Sequence, residues 1–533
     1  MNLKFPSFAA ALLCCLSCID TSTELGQNFI PVGQTYNVYS TEFPITDIDM
    51  KIVDSLSGFS KSYIAFGSIR EPEFGLTTRS SCLSLVPLYD TLDFGSNPQF
   101  IAFHFAAAYD TCSVADLSQM PIIQRVKVYP LTDKVMGKTS YNCNSTVPHG
   151  SNIIAQGNPM ANGSDSLSFD FTAEYGKQYM NITQDDLSSI DKYLAKFPGI
   201  YIETDEPVAD GGRINIYDLQ MDYDEDSYYL AGNYAKLVFR STYDGEVKDT
   251  SFAFYYSPQS IMPIDSLLDS YSTGSFPQYA LNLTGNKGNI DKQGKAEETI
   301  IFEGGGGIKP RISAQALVDM AYEAISKAGE DPTNAIINKA TITMPFDFPE
   351  DYTQIYKYPD ILSPTCRIMS DTLALFMGLT DASSEYEDQG DIDRSNLVYA
   401  PDITYHMQEL MKMKKQKKDT SITSGNYDIW LLPMHYVTTT TTTEGNEELA
   451  DYYTQLAYQS YYQSMYGGTS GYSDYYTNYY TYMMAAQYAS GSTETSTTAS
   501  LDKENFYCMY LHGPKHPSGN VPMMSLTFSV PKK

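Results

Sequence analysis

The sequence predicts a mainly β protein made of two tandem jelly-roll-like β-sandwich domains, each with a short crossing helix. Three observations lead to this prediction. The composition favours strands, with 45 Tyr and 24 Phe against a single Trp. Short alternating apolar and polar runs recur between turn residues, as they do in β-sandwiches. The same order of strands around one helix occurs in both halves of the chain.

The N-terminal stretch has the features of a secretory signal. Lys4 supplies an early positive charge, and Phe8–Leu16 is an apolar run. This run is too short to span a bilayer, which takes about 20 apolar residues. Ser17 is a small residue at the cut, and Cys18 follows it. The arrangement resembles a bacterial lipoprotein signal, in which the cysteine is lipidated and becomes the mature N-terminus.

We therefore predict a lipoprotein signal peptide over residues 1–17 and a tether over residues 18–41. The covalent lipid on Cys18 is the only cofactor that we expect. Each buried CH₂ of such a lipid contributes about 0.8 kcal/mol, so that two or more chains hold a protein at a membrane. The alternative is an ordinary cleaved signal, in which Cys14, Cys15 and Cys18 fill the apolar core.

The charge of the chain argues against nucleic acid as a partner. There are 64 acidic and 35 basic side chains, which gives a formal net charge of −29. Nucleic-acid phosphates need clustered Lys and Arg. A strongly acidic chain suits a surface that an anionic membrane repels everywhere except at its tether. We expect a lipid-anchored protein of the outer membrane, on its periplasmic or its cell-surface face.

The cysteines beyond the signal give no metal-binding pattern. They are odd in number and widely spaced, and no C-x-x-C occurs among them. We expect small buried apolar side chains at Cys82, Cys112, Cys143, Cys366 and Cys508. A bridge between Cys112 and Cys143 is the alternative that an oxidising periplasm would allow.

The first domain is predicted over residues 42–257. Its helix is expected over residues 183–197, because Thr183 and Asp186 have the spacing of a helix N-terminus and Pro198 stops the apolar stripe beyond them. The expected strands are Tyr63–Gly67, Cys82–Val86, Phe100–Phe105, Val126–Tyr129, Phe169–Phe171, Gly199–Glu203, Arg213–Tyr217, Ala235–Arg240 and Ser251–Tyr255.

The second domain is predicted over residues 291–533, after a linker at residues 258–290. Its helix is expected over Asp402–Met413, where apolar residues recur at helical spacing. The expected strands are Ile336–Met344, Asp428–Leu432, Phe506–Leu511 and Pro522–Val530. The order of these elements parallels that of the first domain.

Several short motifs point to one family. They are the Leu25-Gly26 entry, the runs Phe66-Gly67 and Glu71–Thr78, the Gly304–Gly307 cluster and Ile337–Ala340. Together they resemble the domain-of-unknown-function family 4270, a family of Bacteroidota outer-membrane lipoproteins. The resemblance covers nearly the whole mature chain and departs from it at residues 438–500. It implies an outer-membrane lipoprotein and carries over no catalytic residues.

The Gly304–Gly307 cluster lies between a predicted strand and a predicted helix. That context is one in which backbone N–H groups cradle a phosphate. Neither the Walker A pattern nor G-x-G-x-x-G is satisfied, however. We therefore predict a tight surface turn at these glycines.

The histidines give no sign of a metal site or of catalysis. His512 and His516 are four residues apart, but Gly513 and Pro514 prevent the helix that would align them. The sequence contains no H-E-x-x-H and no G-x-S-x-G motif. We therefore expect no metal, no catalytic residue and no enzymatic activity.

Residues 438–500 form a Tyr-rich insertion between two predicted strands. It opens with the threonine run Thr438–Thr443 and ends in a second Ser- and Thr-rich stretch. Tyrosine gives a large contact area at a small entropy cost. We predict a partner-facing surface at Tyr452, Tyr453, Tyr475, Tyr476, Tyr479 and Tyr480. A disordered low-complexity loop is the alternative.

Two functions are consistent with these features. The first is a non-enzymatic scaffold or accessory subunit that binds other envelope proteins. The alternative is a glycan-binding surface lipoprotein, by analogy with other jelly rolls. Sugar-binding surfaces usually present exposed aromatic rings, whereas Trp430 lies within the apolar run Ile429–Leu432 and is predicted to be core. The sequence therefore favours the scaffold.

Overall fold

The structure is a computed structural model, and it describes residues 35–53, 56–135, 141–224, 229–256, 275–276, 278–286, 292–369, 374–379, 381, 389–443, 452–457, 482–483 and 492–532. The chain is mainly β, as predicted. Within these ranges the strands form five sheets, and their pairings are all antiparallel. Among the helices of the described ranges, none is long and apolar enough to cross a bilayer.

The strands are numbered in chain order. The strands before residue 290 are β1 (Tyr36–Pro44), β2 (Ile48–Ile52), β3 (Phe59–Lys61), β4 (Tyr63–Glu71), β5 (Gly75–Leu83), β6 (Leu85–Pro87), β7 (Ser96–Ser113), β8 (Gln124–Pro130), β9 (Met160–Ala161), β10 (Leu167–Asp170), β11 (Ile200–Thr204), β12 (Gly211–Asp218), β13 (Met221–Asp224), β14 (Tyr229–Gly232), β15 (Ala235–Tyr243), β16 (Glu246–Tyr256), β17 (Ser275–Phe276) and β18 (Tyr279–Asn286).

The strands after residue 290 are β19 (Gly294–Lys295), β20 (Thr299–Glu303), β21 (Ile308–Ile312), β22 (Ile336–Pro345), β23 (Ile361–Met369), β24 (Ala374–Gly378), β25 (Ile392–Asp393), β26 (Val398–Tyr399), β27 (Ile429–Thr443), β28 (Ser492–Leu501), β29 (Cys508–His512) and β30 (Met523–Pro531). The α-helices are α1 (Ala173–Tyr179), α2 (Ile190–Lys196), α3 (Ala314–Lys327), α4 (Thr404–Lys415) and α5 (Asp419–Ile422). Short 3₁₀ helices cover Leu117–Gln119, Asp186–Ser188, Pro332–Asn334 and Tyr352–Lys357.

The helix predicted over residues 183–197 is not continuous. Its start signal is real, because the Thr183 N–H and hydroxyl both donate to Asp186 at 2.7 Å. A 3₁₀ turn comes next, and Ser189 then adopts an extended backbone before α2 begins. The Ser189 hydroxyl accepts the N–H of Lys192 and caps α2. A second capping residue inside the apolar stripe therefore divides the predicted helix in two.

The first core lies against a sheet that is organised around the long strand β7. This strand pairs with β15 through its first part and with β12 through its last part. Buried members of the core fall between Ile64 and Leu283. The ring of Phe103 lies 4.9 Å from that of Tyr179 and 5.0 Å from that of Phe171, which joins α1 to the sheet.

The second core lies between two sheets and the helices α3 and α4. One sheet has the order β1-β30-β22-β26-β25, and the other has the order β19-β2-β21-β27-β23-β24 with β28 paired to β27. Buried members of the core fall between Ala296 and Val530, joined by Ile45 and Ile48 from the N-terminal part. The Ser313 hydroxyl caps α3 by accepting the N–H of Ala316.

The strand pairings differ from the predicted domain limits in two places. Strands β1 and β2 pair with β30 and β21, although residues 42–52 are predicted to belong to the first domain. Strand β18 pairs with β5 of the first sheet, although it falls in the predicted linker at residues 258–290. Two strands that pair but lie far apart in sequence carry no local sequence pattern that identifies the partner. The jelly-roll connection of the strands stays a prediction.

The two cores meet along an apolar cluster and a set of polar contacts. Buried residues from both sides form the cluster: Ala65, Ile69, Phe74, Ala115, Ile214, Ile216, Ile301, Ile308, Phe506 and Cys508. Beside it, Lys357 Nζ and Glu71 Oε1 form an ion pair at 2.6 Å. The Ser113 hydroxyl accepts the N–H of Phe506 at 2.9 Å. These contacts fix the segment around Lys357 against the first sheet.

Candidate functional site

A cleft of ≈ 650 Å³ lies where the two cores meet. One side is formed by the end of β7 at Thr111–Ser113, together with Leu117 and Met120. The other side comes from the segment between Phe348 and Asp360 and from two residues close to β29, Asn505 and Tyr507. Ligand sites in proteins are commonly found in clefts of this size between packed units.

Three exposed aromatic side chains line the second side of the cleft. Phe348 is 42% exposed, Tyr352 is 73% exposed and Tyr356 is 58% exposed. We call these three residues the aromatic wall. Large apolar side chains that are exposed together mark a surface that another molecule covers.

The two tyrosines of the aromatic wall lie on a short, well-anchored element. Asp351 starts the 3₁₀ helix Tyr352–Lys357, because its carboxylate accepts the N–H of Thr353 at 2.9 Å. The hydroxyl of Thr353 in turn donates to the carboxylate of Asp116, in the half of the chain that forms the first core, at 3.3 Å. Together with the ion pair of Lys357, this contact holds both ends of the helix. The tyrosine rings therefore project from a fixed base.

Polar groups lie beside the aromatic wall. The Asp360 carboxylate and the Arg394 guanidinium are 3.2 Å apart, and both remain largely exposed. Asp502 accepts the side-chain N–H of Asn505 at 2.8 Å and the hydroxyl of Tyr507 at 2.6 Å. Burial, reinforced by Asp502, raises the pKa of Tyr507, so its hydroxyl stays neutral.

The chemistry of the cleft suits a flat ligand that carries many hydroxyl groups. Aromatic faces pack against the C–H surface of such a ligand, while a carboxylate, a guanidinium and an amide exchange hydrogen bonds with its hydroxyls. Burial raises the pKa of Tyr358 to about 12, so this lining residue also offers a neutral hydroxyl. The cleft therefore provides both apolar contacts and hydrogen bonds for such a ligand.

Trp430 is buried, as the sequence predicted. It is 4% exposed, and its ring meets the edge of Phe376 at 5.7 Å. The exposed aromatic rings are instead those of the aromatic wall, which the sequence does not predict. The signal that could have found the wall is the run Phe348–Pro359, in which aromatic residues are interspersed with Asp, Glu, Lys and two prolines.

Most of the predicted site residues lie outside the described residues. This holds for Cys18 and for Tyr475, Tyr476, Tyr479 and Tyr480. Tyr452 and Tyr453 are described and belong to a helical stretch at residues 452–457. Tyr452 is 55% exposed, and its ring lies 5.7 Å from that of Tyr453.

The ends of the Tyr-rich insertion form strands rather than loops. Strand β27 continues to Thr443, and residues 435–443 pair with β28 in register. The predicted strand ends at Leu432, and the Ser- and Thr-rich end of the predicted insertion is where β28 lies. Threonine is β-branched and favours strands, which explains why the polar run pairs. We call this two-stranded extension the threonine ribbon.

The Gly304–Gly307 cluster is buried, which corrects the prediction of a surface turn. The Lys309 ammonium lies among its carbonyl groups and donates to Gly305 O at 3.0 Å. Burial lowers the pKa of Lys309 to about 7. The Glu303 carboxylate accepts the N–H of Ile308 at 3.0 Å. Because the turn is packed around a lysine of its own chain, it offers no phosphate site.

The cysteines of the described ranges are all free thiols, Cys112 and Cys143 included. Cys82, Cys143 and Cys508 are buried, as expected, whereas Cys112 and Cys366 are partly exposed. Cys112 lines the cleft and Cys143 packs near Trp430. The two sulfurs of the alternative Cys112–Cys143 bridge therefore lie in different surroundings.

His512 and His516 come together without a helix. The prediction that no helix aligns them is correct, since residues 513–519 form turns. Those turns nevertheless stack the two imidazole rings with their centroids 3.7 Å apart. Asp347 lies beside them, with Oδ1 3.0 Å from His512 Nε2. The i, i+4 spacing predicts such a pair only within a helix, so it gives no sign of a pair that turns bring together.

Comparison with known proteins gives no relative, because no protein-family model, no curated protein and no solved structure matches this chain. Inference about function therefore rests on the geometry of the cleft, of the threonine ribbon and of the cluster of His512, His516 and Asp347.

Proposed function

We propose that this chain is a lipid-anchored, non-enzymatic protein of the outer membrane that binds a glycan in the cleft between its two cores. The observation that carries the proposal is the aromatic wall, Phe348, Tyr352 and Tyr356, which faces the cleft beside Asp360 and Arg394. The resemblance to family 4270 supports the envelope location, and membership of that family is part of the proposal.

The exposed rings favour binding over a purely structural role. Three partly exposed aromatic side chains on one side of a cleft leave apolar surface in water, and covering that surface with a ligand is favourable by about 25 cal/mol per Å². Tyrosine also suits a wet binding surface, because it combines an apolar face with a hydroxyl. The exposed rings therefore favour glycan binding over the scaffold that the sequence favours.

Affinity electrophoresis tests the glycan proposal. Full-length protein in detergent is run through native gels that contain laminarin, xylan, mannan, pullulan or no polysaccharide. We expect at least one polysaccharide to retard the wild type and to retard Tyr352→Ala less. Equal migration of the two proteins in every gel would count against the cleft as a glycan site.

The anchor is tested separately. Cys18→Ser removes the acceptor of the lipid, so we expect the variant to leave the membrane pellet after a high-salt wash, while the wild type stays. Retention of the variant in the pellet would show that something other than the lipid holds the chain.

A scaffold or accessory subunit for other envelope proteins is the second candidate, and the threonine ribbon favours it. Residues 435–443 and 492–500 pair with each other, and residues 444–491 of the insertion connect them. A Gly-Ser linker in place of residues 444–491 keeps both strands of the ribbon. Loss of co-purified envelope proteins with unchanged thermal unfolding would support this candidate, and unchanged partners would contradict it.

A further inference from the structure

The loop between β29 and β30 folds back onto the start of β20. The Gly513 N–H donates to Glu298 O and the Lys515 N–H donates to Glu297 O, both at 2.8 Å. The Lys515 ammonium also pairs with the Glu297 carboxylate at 2.8 Å. These contacts hold the loop in place, so that His516 returns over His512, whose side chain is only 6% exposed.

Asp347 reaches the same point from the end of β22. Its neighbour Phe346 forms a bridge with Leu511, the residue before His512. The Asp347 side chain is 80% exposed, and its Oδ1 lies 3.0 Å from His512 Nε2. Two parts of the chain that are far apart in sequence thus bring a carboxylate and two imidazoles together.

The hydrogen bonds of His512 require a positive charge at Nε2. Its Nδ1 lies 2.7 Å from the carbonyl oxygen of Asn520, which can only accept, so Nδ1 carries a proton. A neutral ring then has a lone pair at Nε2, facing the carboxylate of Asp347 at 3.0 Å. Either a proton or a metal ion at Nε2 removes the repulsion between these two acceptors.

We propose that His512, His516 and Asp347 bind a divalent transition-metal ion such as Zn²⁺. Each residue offers one ligand atom, and the three atoms lie within 4.8 Å of one another. Ligand distances of about 2.0–2.2 Å around a tetrahedral zinc ion place ligand atoms about 3.3 Å apart. Nε2 of His512 and Oδ1 of Asp347 already have nearly that separation.

The surroundings of His512 match those of a zinc ligand. A metal-bound imidazole usually donates its second N–H to a carbonyl or carboxylate, as Nδ1 of His512 does to Asn520. Two imidazoles and a carboxylate are ligands that suit zinc. Three protein ligands leave the remaining position to water.

Metal binding requires one movement. The two rings are nearly parallel, at 8°, whereas an ion lies in the plane of each imidazole that binds it. His516 therefore has to rotate out of the stack. It is half-buried on a loop that contains Gly513 and Gly519, and its Nδ1 lies 2.7 Å from the hydroxyl oxygen of Ser518. The partner that it gives up is a single exposed hydroxyl.

Calorimetric titration with ZnCl₂ tests the site. The full-length chain in detergent, without an affinity tag that contains histidine, is first dialysed against a chelator and then against metal-free buffer. We expect one zinc ion per chain, with binding weakened at least about tenfold in His516→Gln and in Asp347→Asn. Both substitutions change exposed or half-buried groups and leave buried His512 in place.

His104→Gln is the matched control. His104 Nδ1 and Asp170 Oδ1 form a second His–Asp pair at 3.0 Å, partly exposed and without a third ligand among the described residues. We expect this variant to bind zinc as the wild type does. A protein that shows no saturable binding, or equal binding in His516→Gln, Asp347→Asn and the wild type, would overturn the proposal and leave His512 as a hydrogen-bond partner of Asp347.

Discussion

Lys357 Nζ lies 2.6 Å from Glu71 Oε1, and each side chain is only about a tenth exposed. The other carboxylate oxygen of Glu71 accepts the N–H groups of Glu73 at 2.8 Å and Phe74 at 3.0 Å. Glu71 belongs to β4 of the first sheet, and Lys357 ends the 3₁₀ helix that carries Tyr352 and Tyr356 of the aromatic wall. The Lys357–Glu71 pair therefore links the stability of the contact between the two cores to the shape of the cleft.

Removing the lysine of this pair should destabilise the junction. Lys357→Met leaves a poorly solvated carboxylate without its cation, which costs about 1–3 kcal/mol. We expect this loss in the free energy of unfolding, measured by urea denaturation. Lys327→Met is the control, because Lys327 forms an exposed pair with Glu323. Such a pair is worth at most about 0.5 kcal/mol. Equal losses in the free energy of unfolding for Lys357→Met and Lys327→Met would contradict a stabilising role of the Lys357–Glu71 pair.

The same pair predicts a dependence on acid pH. Burial alone would raise the pKa of Glu71, but the hydrogen bonds from Lys357, Phe74 and Glu73 outweigh it and hold the pKa below its ordinary value. The unfolded chain then binds more protons than the folded chain below about pH 4.5. The contribution of Glu71 to stability is complete above that pH and is lost as the pH falls through the folded pKa.

Glu71→Gln should therefore lose less stability than the wild type between about pH 5 and pH 3. The measurement is the urea midpoint at each pH. Glu323→Gln, at an exposed glutamate, should follow the wild type. Identical slopes in Glu71→Gln and the wild type would contradict the lowered pKa of Glu71.

Lys309 predicts a dependence on alkaline pH. Its pKa is lowered by burial to about 7, whereas an unfolded lysine titrates near 10.4. Between these values the unfolded chain binds more protons, so the contribution of Lys309 makes stability rise with pH, by roughly 1–4 kcal/mol in all. Lys309→Met should lack this rise in urea midpoints between about pH 7 and pH 10. The exposed control Lys327→Met should keep it, and a rise that persists in Lys309→Met would contradict the assignment.

Structural features that depend only on neighbouring residues could be predicted from the sequence. The Thr183 and Asp186 start signal, the strand expected over Arg213–Tyr217 and the buried Trp430 are all present in the structure. In each case a propensity, a capping group or an apolar run acts within one turn or one strand. These local effects are sufficient to give the mainly β class.

The sequence does not predict what depends on long-range pairing. Tyr36 pairs with Pro531, and nothing within either strand identifies the other. The cleft arises because residues 348–360 meet the end of β7, and His512 meets Asp347 through the bridge that Phe346 forms. Such sites are made by the packing of distant segments, so a search for motifs passes over them.

The most direct test of the cleft is a binding titration with the polysaccharide that retards the wild type in gels. The double variant Tyr352→Ala/Tyr356→Ala removes two rings of the aromatic wall, and Tyr405→Ala removes an exposed ring, at 52%, that lies on α4 instead. We predict that the double variant binds at least about tenfold more weakly, a loss of ~1.4 kcal/mol, while Tyr405→Ala binds as the wild type does. Equal affinity in the double variant and the wild type would contradict the account.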